Sequence, residues 1–300
     1  VYEIRLEQAL AEDLLCPFHY FGISDLWIDG KEINLEEDNI SFSNLSESER
    51  VDKIIEKIRY FGHSGSRVKG LVFCSNKKEA KELSDAFNER KFRTISLTGD
   101  DSQAKREDAI ARLTGTGGYQ GLVDEQLDYI FTVDIFNEGV DIPEVNQVIM
   151  LRQTESPIVF IQQLGRGLRK FEDKEYVVIL DFIGNYSNSY MIPLALSGDR
   201  SYNKDTLRKY VQSGNRIIPG TSTVHFDSIA KKRIFAAIDT ANLSSAKLIK
   251  EAYLDLKYKL GHIPRIKDFK DYGSIDITKI FTKYKSYHHF LTQIKDKDYK

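Results

Sequence analysis

Cysteine is almost absent from this chain, which has only Cys16 and Cys74 in 300 residues. Two thiols cannot build a disulfide framework or a four-cysteine zinc site, and such low usage fits a reducing, cytoplasmic compartment. Long apolar runs are missing too, so no stretch can span a bilayer and no membrane partner is expected. The opening residues, VYEIRLEQAL, hold no basic segment followed by an apolar one, as a secretory leader would. They start at Val, which suggests a piece of a longer protein. A surplus of charge is also lacking. The net charge of −2 is far from the basic balance of a stand-alone nucleic-acid-binding module, so any such contact must be local. No Gly-x-x-x-x-Gly-Lys-Ser/Thr loop is present to cradle the β- and γ-phosphates of a nucleotide. No acidic quartet follows a strand to hold Mg²⁺. Gly115-Thr116-Gly117-Gly118 is glycine-rich, but no Lys follows it, and it reads as a surface loop.

What is present is an alternation. Residues 71–74, 93–97, 128–133, 145–151 and 175–181 are short apolar runs of buried-strand type. Between them lie amphipathic stretches. Residues 77–90 place Ala80, Leu83, Ala86 and Phe87 on one helical face. Residues 102–113 form a helix capped by Asp101 or Ser102, and Pro157 opens a helix running to about Arg169. An earlier helix spans about 46–61, with Val51, Ile54, Ile55 and Ile58 apolar. Strands and helices alternating at this spacing predict a parallel sheet with helices on both faces, an α/β class in which ligands sit at the carboxyl ends of strands. After residue 181 the pattern changes. From Phe226 on it predicts only helices, at 226–241, 244–260, 266–272 and 277–294, as a small all-helical unit separable by a cut near Gly220. The expected division is 1–62 (entry segment and first helix), 63–200 (the α/β domain) and 201–300 (helical extension).

Two segments carry chemistry. In Gln162-Gln163-Leu164-Gly165-Arg166-Gly167-Leu168-Arg169 the two arginines share one helical face, about a turn apart. Phosphoryl transfer needs cations against the γ-phosphate oxygens, and the planar, always-charged guanidinium suits that task. A solvated basic helix end is the plainer reading. In Phe131-Thr132-Val133-Asp134-Ile135-Phe136-Asn137-Glu138-Gly139-Val140-Asp141-Ile142-Pro143 a buried strand ends at a Gly-x-Asp turn. That sets Thr132, Gly139 and Asp141 at a strand's carboxyl end, although Asp141 could equally serve its own turn.

Taken in order, these segments resemble motifs V and VI of superfamily 2 helicases. Residues 71–76 resemble motif IV, and Thr98-Gly99 resembles the loop after the following strand. The forms are most similar to the type III restriction and excision-repair branches. Leu6-Glu7-Gln8-Ala9-Leu10 and Leu15-Cys16-Pro17-Phe18 resemble that branch's entry into its second RecA-like motor domain. Ser201-Tyr202-Asn203-Lys204 through Gly261-His262-Ile263-Pro264 resembles, more loosely, the helical extension of a bacterial subgroup. The resemblance implies a C-terminal RecA-like domain whose parent uses ATP and Mg²⁺, with neither held tightly by this chain alone. Arg166 and Arg169 would be arginine fingers reaching ATP on the first RecA-like domain, and Gln162 would help place the γ-phosphate. Gly139 and Asp141 would meet the nucleotide. Ser75, Asn76, Thr98, Gly99 and Thr132 would hold a strand by its backbone, without reading sequence. DEAD-box proteins carry His-Arg where Gln162-Gln163 stands here, which points to DNA rather than RNA. No metal site is expected at His19, His288 or His289, which lack ligand-spaced partners. The tail's Lys231, Lys232, Arg233, Lys247 and Lys250, with Tyr253 and Tyr258, could line a strand or be a solvated face.

Overall fold

The computed structural model describes residues 6–23, 27–28, 31–32, 47–115, 125–133, 142–152, 168–183, 189–197, 202–213, 222–241, 243, 246–272 and 275–299. Its centre is a seven-stranded sheet in the order β5-β6-β4-β7-β8-β1-β9, with every pairing parallel. The strands are β1 (Phe18–Ile23), β4 (Gly70–Phe73), β5 (Thr94–Leu97), β6 (Tyr129–Thr132), β7 (Gln147–Met150), β8 (Val177–Phe182) and β9 (Thr223–Phe226). A two-residue pair, β2 (Trp27–Ile28) with β3 (Lys31–Glu32), lies apart from it.

The helices are α1 (Leu6–Ala11), α2 (Glu47–Phe61), α3 (Lys77–Glu89), α4 (Gln103–Thr114), α5 (Met191–Ser197), α6 (Lys204–Ser213), α7 (Ser228–Thr240), α8 (Ala246–Leu260), α9 (Ile266–Asp271), α10 (Ile277–Tyr284) and α11 (Tyr287–Gln293). Strand periodicity explains how they are layered. Alternate residues of a strand face opposite ways, so Val72, Ile149, Val178 and Leu180 enter one apolar cluster with Val51, Ile54 and Ile58 of α2 and Leu83 and Phe87 of α3. Their neighbours Leu71, Phe73, Val148 and Ile179 enter the other cluster with Ala109 and Leu113 of α4. That second cluster continues through α6 and α7 to Tyr253, Phe269 and Phe290 of the C-terminal helices. Strands β4, β6, β7 and β8 are buried along their whole length, as a sheet covered on both faces requires.

The α/β class with C-terminal helices agrees with the sequence pattern, and most elements fall within two residues of their expected bounds. Two differences have physical causes. The strand at 175–181 is not the last. β9 comes from the tail and pairs with β1, which itself slots in beside β8, so the sheet takes in residues from both sides of position 201. β9 has four residues, with Val224 and Phe226 buried around an exposed His225, too short for a periodicity test. Finally, the helix expected over 277–294 is two helices. Lys285 adopts φ 65°, and Ser286 restarts the chain as N-cap by accepting from the His289 amide at 3.1 Å. Of the helix expected from Pro157 to Arg169, only Leu168 and Arg169 lie within the described residues.

Candidate nucleic-acid interface

Three adjacent strands, β5, β6 and β4, end side by side, and the residues singled out from sequence sit at those ends. Ser75 and Asn76 join β4 to α3. Asn76 caps the helix, its Oδ1 accepting from the Glu79 amide at 2.9 Å. The Ser75 amide donates to Glu79 Oε2 at 2.7 Å, while Glu79 also pairs with Arg50 of α2. Thr98 and Gly99 join β5 to α4. Asp101 Oδ2 accepts from the Thr98 amide at 2.7 Å, and Ser102, not Asp101, is the N-cap. A carboxylate within a tight loop satisfies backbone amides that the turn leaves open. Lys105 and the Thr98 amide also hold the Asp101 carboxylate below its usual range.

An ion pair between Lys77 and Asp100 ties the two loops to each other. Lys105 pairs with Asp101 at 2.6 Å, and Arg106 Nη2 donates to the Gly99 carbonyl at 2.8 Å. A Cβ added at Gly99 would meet nothing within 4 Å, so the loop's outer side is open. The edge thus offers the N-termini of two helices, both favourable to anions, and three cations beside them. Lys77, Lys105 and Arg106 were not singled out from sequence. Their signal was present, since each directly follows a capping loop within the first turn or so of a helix.

Thr132 is placed differently from the other four. It ends β6 between Phe73 and Leu97 and is completely buried, and its hydroxyl has no hydrogen-bond partner among the described residues. The last residue of a central strand is still flanked by both neighbours, so it offers no surface to a bound strand in this arrangement. Arg169 stands on the opposite side of the sheet. The carbonyl of its neighbour Leu168 accepts from the Cys16 amide at 2.7 Å, in the segment leading into β1, and Arg169 itself is exposed. The structure therefore gathers Ser75, Asn76, Thr98 and Gly99 and leaves Arg169 at the amino-terminal edge. Gln162, Arg166, Gly139 and Asp141 lie outside the described residues.

The second polar feature is internal. Tyr20 of β1 donates to Asp181 Oδ2 of β8 at 2.6 Å, and both side chains are buried. Burial pushes the Asp181 carboxyl up to about 7, with the Tyr20 hydrogen bond acting the other way. Cys74 is fully buried and its thiol is raised by that burial, so it is packed rather than reactive. His19 is hydrogen-bonded through Nδ1 to Thr223 Oγ1 at 2.9 Å, bridging β1 to β9.

A parallel sheet of this order, with capped loops gathered at its carboxyl edge, defines a RecA-like domain. Residues 49–171, from α2 to the segment before β8, match the helicase conserved C-terminal domain, and residues 249–300 match a domain of unknown function, DUF8090. Within residues 49–171 the chain thus has a segment of the helicase C-terminal type, followed by a helical extension. It is similar to the Saccharomyces cerevisiae protein IRC3, named as an ATP-dependent helicase, with 28% identity over 53% of this chain and 22% of that one. Similarity to the Kluyveromyces lactis pre-mRNA-splicing ATP-dependent RNA helicase PRP28 is 26% over 42% of this chain and 24% of that one. The chain therefore spans about a quarter of the length of these relatives. Among solved structures, the DNA-bound ATP-dependent Type ISP restriction-modification enzyme LlaBIII shares the fold with a TM-score of 0.50 and 15% identity, over 90% of this chain and 21% of that one.

Proposed function

We propose that this chain is the C-terminal motor half of an ATP-dependent DNA helicase or translocase. In this reading Ser75, Asn76, Thr98 and Gly99 grip one strand by its backbone, with Thr132 at the strand end between their two loops. Arg166 and Arg169 act as cations toward the γ-phosphate of ATP and its Mg²⁺ held on a first RecA-like domain, with Gln162, Gly139 and Asp141 completing the nucleotide contacts. The exposed Arg169 fits a role toward a phosphate, and the sequence holds no phosphate loop of its own. Closure of two domains around ATP would then move the strand-contact loops relative to the other half. DNA is preferred over RNA because Gln162-Gln163 departs from the His-Arg of RNA-directed DEAD-box proteins. We place the parent in the cytoplasm, possessing no membrane partner.

The observation that carries this reading is the pair of ion-paired, helix-capping loops at one sheet edge, inside the segment that matches the helicase domain. The test is ATP hydrolysis by the longer parent protein with single-stranded DNA, duplex DNA or RNA added. Stimulation by DNA supports the proposal. Unstimulated turnover, or none, would favour a non-catalytic interaction module on the same scaffold. Stimulation by RNA alone would overturn the DNA assignment.

A further inference from the structure

Large apolar side chains are exposed at six places among the described residues, and four of these fall between positions 254 and 272. Leu254 and Tyr258 lie one turn apart on α8, 45% and 90% exposed, and Ile266 opens α9 at 52%. Residues three or four apart share a helix face, so Lys250, Leu254 and Tyr258 form one exposed stripe. Gly261, at φ 71°, turns the chain after α8. Only five residues lie between Leu260 and Ile266, so the end of α8 and the start of α9 lie within roughly 20 Å of each other. Neighbouring residues are held in place from behind. Tyr253 is fully buried and donates to Asp296 at 2.6 Å, while Lys257 is committed to Asp296 and Asp298 at 2.5 and 2.7 Å. The Tyr287 hydroxyl donates to the Pro264 carbonyl at 2.7 Å, fixing the turn.

Charge indicates the partner. Residues 249–300 contain 12 Lys and Arg against 7 Asp and Glu, whereas residues 1–248 contain 31 against 38. The chain's positive surplus is therefore concentrated in the segment that exposes its aromatic and aliphatic side chains. An exposed tyrosine on a helix anchored from behind, with lysines beside it, suits a polyanion whose bases need a surface to stack on. We propose that the exposed face of α8 and the turn into α9 is a binding platform for single-stranded nucleic acid, with Tyr258 stacking a base and Lys250 and Lys267 taking phosphates. This platform is separate from the sheet-edge loops and does not depend on the helicase reading.

The test is fluorescence titration of the full chain with labelled oligo-dT and oligo-rU 20-mers across a salt series. Base stacking on one aromatic is worth roughly 1–3 kcal/mol, so Tyr258→Ala should weaken binding at least fivefold while Tyr258→Phe retains it. Lys250→Glu with Lys267→Glu should flatten the log–log salt slope by about 1.4, at roughly 0.7 per phosphate on a single strand. Each of these side chains is exposed, so thermal melting should not change. Wild-type affinity in Tyr258→Ala, or equal loss in Tyr258→Ala and Tyr258→Phe, would overturn the stacking role. An unchanged slope in the lysine double variant would overturn the phosphate role. Comparing the two oligonucleotides distinguishes DNA from RNA. A Lys77→Glu variant tests the loops separately, so failure of either site is distinguishable from failure of the other.

Discussion

Replacing Asp181 with Asn provides a direct measure of how the sheet is held together at β1 and β8. A carboxyl raised to about 7 by burial keeps its proton in the folded chain across a range where the unfolded chain, near its ordinary value, has lost it. The folded state then binds more protons, so this group makes stability fall as pH rises. The fall begins just above the unfolded value and levels off once the folded carboxyl ionises near 7. Each unit is worth about 1.36 kcal/mol, so between pH 5 and pH 8 the loss from this one group is of order 3 kcal/mol. Asn has nearly the same shape, its carbonyl still accepts from Tyr20, and it does not titrate. The assay is denaturant unfolding of both proteins at pH 5 and pH 8. The stability difference, variant minus wild type, should rise by roughly 3 kcal/mol between the two. Taking the change between pH values cancels whatever Asn does to packing and whatever the other groups contribute. A difference that stays within about 1 kcal/mol across that range would refute the idea that burial, with no cationic partner among the described residues, controls Asp181.

Further expectations concern the motor and its borders. The chain alone should not hydrolyse ATP, with or without DNA, and turnover surviving stringent purification would contradict the missing phosphate loop. In the parent protein, Arg166→Ala or Arg169→Ala should cut ATPase turnover far more than nucleotide binding, by up to roughly 10³–10⁵-fold if each acts as an arginine finger; near-normal turnover in both would make them structural. Gly22→Ala should destabilise the fold by about 1–3 kcal/mol through overpacking, because the new Cβ would lie 2.5 Å from the Phe226 ring and 2.8 Å from Ile183; an unchanged denaturation midpoint would show that β9 yields freely. A chain ending at residue 213 loses β9 and should fail to melt cooperatively, whereas one ending at residue 245 keeps β9 and α7 and should retain a cooperative transition by calorimetry.

How much was legible depended on whether an element announces itself within its own residues. β4, β6, β7 and β8 are four to six residues with almost every side chain buried, and apolar runs show that directly. The cap of α4 was narrowed to Asp101 or Ser102, which stand immediately before an amphipathic stretch, and Ser102 fills the role, whereas Asn76, singled out only as a strand contact, also caps α3. β1 and β9 were not, because each is a strand by virtue of a distant partner. Phe18–Ile23 contains a glycine and follows a proline, and its role emerges only when Val177–Phe182 lies beside it. The candidate loops were placed correctly at strand ends, but the depth of Thr132 was hidden, since position along a strand says nothing about which neighbours cover its end. The pairing of Lys77 with Asp100 joins two loops 23 residues apart, a relation that no local pattern encodes.

The place of β1 also sets a timetable for folding. Its partner β8 lies about 160 positions later in the chain, as the Tyr20–Asp181 bond spans 161 residues, and the edge strand that covers its other side arrives later still. At synthesis rates of about 5–20 residues per second, β1 would wait roughly 10–30 s after leaving the ribosome before anything could pair with it. Phe18, Tyr20 and Ile23, all buried in the finished fold, would be uncovered throughout that interval. Contacts between such distant segments also pay their loop-closure cost before they yield any stability. The same strand that joins β8 to β9 is thus a part of the nascent chain left open to aggregation for long, and one a holding chaperone would be expected to cover.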